Sequence, residues 1–254
     1  MQLPANSFLA GLKSGTPQIG LWVSLATPYV AEVVAGSGFD WFLLDTEHAP
    51  GDIPSVVGQL QVLAAYEGTA IVRPAWNDTV LVKRLLDAGA PGLLFPMVQT
   101  PHEAASAVAA TRYPPRGVRG VSGMTRATRF GRITDYFQRV EDETAVLVQV
   151  ETRAALQAAT DIAATDGVDG VFFGPADIAA DMGLMGQLAH DDLWAAIMAA
   201  AKPLMAQGIP VGTLVFDTSR ARRLIDQGFA FVACGTDATI LSKGADALNK
   251  AMRA

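Results

Sequence analysis

Short apolar runs recur along the chain at regular intervals, each bounded by Gly, Pro or a polar residue. Eight can be marked: Ile19–Leu25, Trp41–Asp45, Ala70–Pro74, Gly92–Pro96, Val146–Val150, Gly170–Phe173, Pro210–Val215 and Phe229–Cys234. Near-continuous apolar runs of this length are the pattern of strands buried on both faces, as in a parallel sheet. Most are followed by a stretch with helical periodicity. These are Pro28–Ser37, Ile53–Tyr66, Val80–Ala88, His102–Arg112, Arg153–Thr165, Leu193–Gln207, Thr218–Gln227 and Ala238–Met252. Gly38, Gly89, Gly208 and Gly228 stand where a helix C′ glycine precedes the next strand. Strand–helix alternation repeated eight times predicts an α/β fold, a closed (β/α)8 TIM barrel rather than a sandwich. No linker or low-complexity stretch divides residues 1–254, which read as a single barrel domain.

Composition narrows the function. At 254 residues and 50% hydrophobic, the chain buries a sizeable core. A formal charge of −6 argues against general affinity for nucleic acid or acidic lipid. The single Cys234 excludes an internal disulfide and a cysteine-rich zinc site. There is no run long and apolar enough to span a membrane, and residues 1–14 lack a signal-peptide core. A soluble cytoplasmic protein is expected.

One segment departs from the rhythm. Residues 112–143 hold no evident strand but carry seven of the fourteen arginines (112, 116, 119, 126, 129, 132 and 139). Their glycines indicate a loop, with room for a short helix. Such a loop is either a solvated basic excursion or a surface that turns one or two arginines toward an anionic substrate or a neighbouring subunit.

Candidate chemistry gathers where strands end, because residues just past barrel strands meet at the catalytic mouth. Glu151 follows Val146–Val150, and Asp177 follows Gly170–Phe173 through Gly174-Pro175-Ala176. Each is also an ordinary helix-start acid. Together, on adjacent strands, they suit a hard divalent cation, which takes one or two protein carboxylates and leaves positions for substrate oxygens. His48, after the second strand, is a general-base candidate or a structural histidine. Asp45 and Glu47 flank it, but extended backbone would turn them to opposite sides, so they are not expected to share a site. Arg73 ends the third strand, where a buried guanidinium needs an anion, either a substrate oxyanion or a structural carboxylate. The amides around Gly174-Pro175-Ala176-Asp177 open a short helix suited to a small carboxylate. Lys13, Lys83, Lys202, Lys243 and Lys250 all fall in predicted helices or the N-terminal arm, which leaves no Schiff-base amine at the mouth.

With those residues marked, the chain resembles the metal-dependent (class II) pyruvate aldolases of the 4-hydroxy-2-oxoheptanedioate and 2-keto-3-deoxy-rhamnonate aldolase family. The resemblance runs nearly end to end. It includes Gly20-Leu21-Trp22, Phe42 to His48, Val72 to Asp78, Pro96-Met97-Val98, Tyr113 to Gly120, Gln149-Val150-Glu151-Thr152 and Phe173 to Asp177. It implies reversible cleavage of 4-hydroxy-2-oxo acids to pyruvate and an aldehyde, through a pyruvate enolate stabilised by Mg, Mn or Co. It implies Glu151 and Asp177 as metal ligands, His48 as base and Arg73 as the enolate's partner, with Asp45 supporting the site. Gln149, Gly174, Pro175, Ala176 and Asp177 would hold pyruvate, and Trp22 and Leu214 would line the aldehyde end. It further implies a homo-hexamer, a dimer of trimers with the eighth helix exchanged, in which Asp87 raises the basicity of an adjacent subunit's His48. A role in aromatic-compound catabolism goes with that family. Rival readings are an oxaloacetate decarboxylase, a malyl-thioester-type lyase, and a non-catalytic barrel that binds a small carboxylate.

Overall fold

In a computed structural model of the protein, which describes residues 1–253, eight parallel strands close into a barrel in chain order. They are β1 (Gln18–Val23), β2 (Trp41–Asp45), β3 (Thr69–Arg73), β4 (Gly92–Phe95), β5 (Ala145–Val150), β6 (Gly170–Phe173), β7 (Val211–Val215) and β8 (Phe231–Thr236). The helices are α1 (Ser7–Ser14), α2 (Pro28–Ala35), α3 (Ile53–Leu63), α4 (Thr79–Asp87), α5 (Pro101–Thr111), α6 (Tyr136–Arg139), α7 (Arg153–Ala163), α8 (Pro175–Asp181), α9 (Asp191–Ala206), α10 (Thr218–Asp226) and α11 (Asp237–Arg253). The (β/α)8 expectation is met, and β1 pairs with β8 to close the cylinder. The four C′ glycines, at 38, 89, 208 and 228, all take positive φ, from 75° to 102°. That conformation carries little cost only without a Cβ.

Alternate strand positions face inward. Trp41, Leu43, Ile71, Leu147, Phe172 and Phe231 fill the barrel, while their neighbours pack outward against the helices. Gly20 makes room for this core, since a Cβ there would overlap the Trp41 indole. The base is closed by α1, a helix where the sequence pattern shows only an N-terminal arm. Its Phe8 is fully buried, with its ring 5.7 Å from both Trp41 and Phe231. Burying such a side chain is worth about 1.5–3 kcal/mol. Asn6 caps this helix by accepting from Leu9 N and ties it down through Nδ2 to the carbonyls of Pro91 and Glu143.

The arginine-rich segment connects α5 to β5, so it lies at the base and not at the mouth. It is a loop that ends in α6 and one turn of 3-10 helix (Val140–Glu143). None of its arginines lines the mouth cavity of its own barrel, where the one arginine is Arg73. Three of them, Arg112, Arg119 and Arg126, turn back on the protein, whereas Arg116 and Arg132 are exposed. Arg126 donates to the carbonyls of Ala88 and Leu60, Arg112 to that of Glu141, and Arg119 to Asp87. The last helix, α11, behaves differently from the others. Among its residues Asp237 is buried, whereas Ile240, Leu241, Leu248 and Met252 are exposed.

Candidate active site at the barrel mouth

The strand period explains why polar groups converge at one end. Inward positions advance from Trp41 and Leu43 to Asp45 on β2, from Ile71 to Arg73 on β3, and from Leu147 to Gln149 and Glu151 on β5. Register places Asp45 beside Arg73. These residues line a cavity of about 290 Å³ together with Trp22, His48, Gly174, Pro175, Ala176, Asp177 and Leu214. Every mouth residue named from the sequence is therefore brought to one place, with one exception. Asp87 lies at the end of α4, away from this cavity, paired with Arg119 at 2.9 Å.

Arg73 organises one wall. Its Nε and Nη2 donate to Asp45 at 2.9 and 2.7 Å, and Trp22 Nε1 donates to the same carboxylate at 3.2 Å. The guanidinium lies over the Trp22 ring, 4.9 Å from its centroid. Burial opposes the charged form of Asp45, but the Arg73 fork outweighs it and holds the carboxyl below its ordinary range. Burial likewise works against the Arg73 charge and is outweighed by Asp45, Glu47 and Glu151, so this guanidinium stays protonated.

Glu47 corrects the sequence reading. The chain turns sharply after β2 because Asp45 Oδ1 accepts the amides of Glu47 and His48. Glu47 thus swings back onto Arg73 Nη1, at 2.8 Å, and shares the Arg73 cluster with Asp45 after all. That ion pair is off the hydrogen-bond axis, and Glu47 Oε2 has no hydrogen-bond partner. Burial, ahead of the neighbouring acids, raises its pKa. His48 stands at the rim with its side chain 67% exposed.

Glu151 forms the opposite wall and is 2% exposed. Its Oε1 accepts from Gln149 Nε2 at 2.6 Å, and its Oε2 accepts from Met97 N at 2.7 Å. Met97 takes φ of 52°, a left-handed conformation that costs a non-glycine residue roughly 1–2 kcal/mol. The strain aims an amide at the carboxylate, and nothing in the local sequence signals it. Gly174 is required by close approach, because a Cβ there would sit 2.6 Å from Glu151 Oε1. Burial first, then Asp177 and Glu47, push the Glu151 carboxyl up to about 8. Asp177 occupies the first turn of α8 and is exposed to the cavity.

This donor set fits a hard cation. Asp45, Glu47, Glu151 and Asp177 oppose one guanidinium, an excess of negative charge that a divalent ion would relieve. Gln149 Oε1 is buried without a partner, a further oxygen in need of one. No cluster of three or more His, Cys, Asp or Glu with metal-holding geometry occurs among the described residues. Glu151 and Asp177 are the carboxylates on the cavity wall that form no ion pair with Arg73. No lysine lines the cavity, in line with the sequence expectation.

Comparison with known proteins gives the family and the fold. The family model for HpcH/HpaI aldolase/citrate lyase matches residues 18–243. A 4-hydroxy-2-oxo-heptane-1,7-dioate aldolase from Salmonella dublin is 51% identical over 244 residues, 96% of this chain and 93% of that protein. The crystal structure of an HpcH/HpaI aldolase/citrate lyase family protein from Burkholderia cenocepacia J2315 superposes with a TM-score of 0.95 at 38% identity, covering 98% of this chain and all of the other. An HpcH/HpaI aldolase from Desulfitobacterium hafniense DCB-2 gives 0.87 at 28% identity, covering 95% of each chain. The protein is an enzyme, a carbon–carbon lyase of the aldolase class. It belongs to the HpcH/HpaI aldolase/citrate lyase family.

Proposed function

We propose that the enzyme cleaves 4-hydroxy-2-oxo acids reversibly into pyruvate and an aldehyde, with a divalent cation (Mg, Mn or Co) held by Glu151 and Asp177. The observation that carries this reading is the convergence of two acids and a preorganised arginine on one cavity that no lysine lines. When bound, the cation withdraws electrons from the 2-oxo group and makes the adjacent carbon acidic. Gln149 and the α8 amides beyond Gly174 and Pro175, at Ala176 and Asp177, orient the substrate carboxylate. His48 takes the proton of the C4 hydroxyl as the C3–C4 bond breaks, and the electron pair passes to the C2 oxygen. Arg73, its fork fixed by Asp45, donates to that oxyanion. Protonation at C3 then gives pyruvate. Trp22 and Leu214 line the side where the aldehyde leaves.

A homo-oligomer belongs to this reading. The exposed apolar residues of α11 need a second copy to cover them, and a hexamer built as a dimer of trimers with exchanged last helices would do so. Asp87 of the partner subunit would then reach His48 and raise its basicity, because the exposed imidazole has room for a neighbour.

The test is an assay of several 4-hydroxy-2-oxo acids, with pyruvate and aldehyde measured separately. Equimolar products, loss of turnover with EDTA and its return with Mg, Mn or Co are expected, and Glu151→Gln should need far more metal. Chelator-insensitive turnover, trapping of a lysine adduct by borohydride, or turnover confined to oxaloacetate decarboxylation would overturn the reading.

A further inference from the structure

Asp237 is the first residue of α11 and is 3% exposed. Among the described residues, no Lys, Arg or His comes within ion-pair distance of it. A buried carboxylate without a cation is costly unless other donors satisfy it. Here most of them come from the loop between β1 and α2. Oδ1 accepts from Ser24 N at 2.9 Å and from Ser24 Oγ at 3.0 Å, and Oδ2 accepts from Leu25 N at 3.1 Å. Only the Ala238 amide, at 2.7 Å, belongs to its own helix.

Two backbone irregularities make this contact. The first is a bulge in β8, where Gly20 pairs with Ala233 but Trp22 pairs with Thr236, one residue further than even spacing allows. Gly235 lies inside it with φ of 86°, a conformation that glycine adopts readily. With even alternation, Asp237 would follow Ala233 onto the inner face of the barrel. The extra residue gives that face to Thr236, which borders the mouth cavity, and leaves Asp237 behind the wall. The second is Ala26, whose φ of 55° is left-handed backbone that a non-glycine residue keeps only when its surroundings impose it. Thr27 caps α2 by accepting from Val30 N, so the loop is tied at both ends.

Ser24 is the next inward position after Trp22, and it borders the mouth cavity with Trp22, Leu214 and Thr236. Gln149 and Glu151 rise from β5, on the opposite side of the closed barrel from β1. We infer that Asp237 is a positioning residue: by holding Ser24 and Leu25 it fixes the β1 wall of the mouth, which the aldehyde meets, without touching substrate itself. This rests on the mouth cavity serving as the aldolase site. Loss of the carboxylate should then harm aldehyde capture and spare the enolisation of pyruvate.

The test follows two reactions of the metal-loaded enzyme: proton exchange at the pyruvate methyl without aldehyde, and aldol addition of pyruvate to butanal. Asp237→Asn keeps the shape of the side chain but sets an amide N–H against the donors of the loop. Hydrogen bonds to a charged group are worth a factor of roughly 10 or more, so KM for butanal should rise about 10-fold. Exchange per folded enzyme should stay within about twofold of the wild type, because the pyruvate side of the mouth is remote from the change. Ser24→Ala removes only the Oγ bond and should raise the butanal KM less, by about threefold. It decides the matter alone if Asp237→Asn does not fold. An unchanged butanal KM in Asp237→Asn, or in Ser24→Ala where only that variant folds, overturns the assignment. So does a fall of exchange and addition by one common factor, which would make Asp237 an anchor of α11 and nothing more. A wild type that neither exchanges nor adds butanal defeats the aldolase site and the role of this wall with it. One that does both, and that Asp237→Asn matches, defeats Asp237 alone.

Discussion

Two buried arginines, Arg73 and Arg119, answer the same electrostatic problem in opposite ways. Arg73 is 6% exposed and Arg119 is 1% exposed, so each must be compensated inside the protein. Arg73 faces two carboxylates, Asp45 and Glu47, and a cavity. Its surroundings carry more negative charge than it can neutralise. Arg119 has one carboxylate, Asp87, and the faces of Tyr113 and Tyr136 at 4.5 and 6.0 Å. Its Nε and Nη1 have no hydrogen-bond partner, nor does the Tyr113 hydroxyl, whose pKa burial raises. Aromatic faces stabilise a cation without presenting it to a ligand. Burial and residue type are thus equal in the two regions. The surplus of acid around an open cavity is what marks one of them as chemistry, while the other clamps a loop to the end of α4.

Substitution separates the two most sharply at Arg73. Arg73→Ala removes the donor proposed to face the developing oxyanion, and kcat should fall about 10²–10³-fold, as when an oxyanion-hole donor is lost. It also leaves Asp45 buried without its partner. Expression and melting of the metal-loaded variant therefore need to be measured beside its turnover. Arg73→Ala with wild-type kcat would mean that Arg73, like Arg119, is merely structural.

Arg119→Met should reverse the pattern. Removing one member of a buried pair costs about 3–5 kcal/mol, but Asp87 is partly solvated, so a cost of about 2 kcal/mol is expected. For a chain of this size that lowers the melting temperature by roughly 4–8 °C. Proteolysis within residues 112–135 should accelerate, and kcat of the intact enzyme should stay within about tenfold. A larger loss of turnover than of stability would place Arg119 in the catalytic machinery by way of Asp87.

The sequence exposed one of these regions and hid the other for a physical reason. Arg73 ends a run buried on both faces, and strand period alone carries it to the mouth with Asp45, Gln149 and Glu151. The barrel itself is legible on the same ground, since eight such runs and the C′ glycines leave few alternatives. Arg119 sits in irregular backbone, where no period says which side chain turns inward. Extended geometry past β2 turns Glu47 the wrong way, because Asp45 Oδ1 captures the next amides and folds the chain back. The helix α1 is only eight residues long, too short for its period to stand out. The Met97 amide depends on a left-handed φ for which the residue type gives no hint.

The acid surplus at the mouth can be read by pH. Glu151 is held up near 8 by burial and by its neighbours, against an ordinary 4.5. A group raised in the folded state stabilises the metal-free fold most at low pH, and that contribution fades as pH climbs from 4.5 toward 8. Metal ligation needs the carboxylate, so each ion bound below pH 8 displaces a proton. Apparent affinity for Mg or Mn should rise about tenfold per pH unit between 6 and 8 and level off above. Calorimetry in buffers of different ionisation enthalpy would count the proton. In Glu151→Gln that slope should flatten. A slope that survives the substitution would move the titrating group elsewhere.

The smallest effect is expected at Arg116, three residues before Arg119 on the same loop. Its Nη1 meets Glu141 Oε2 at 2.5 Å, a shorter contact than any that Arg119 makes, yet its side chain is 69% exposed. Water screens such a pair, and ordering two long side chains offsets most of the attraction. Arg116→Ala should therefore cost well under about 1 kcal/mol, an apparent melting shift of no more than roughly 2–4 °C, and less at high salt. If Arg116→Ala destabilised as much as Arg119→Met, proximity of charges would be what holds the loop. Burial of Arg119 between two tyrosines would then lose its special place, and the contrast with Arg73 would have to rest on the mouth cavity alone.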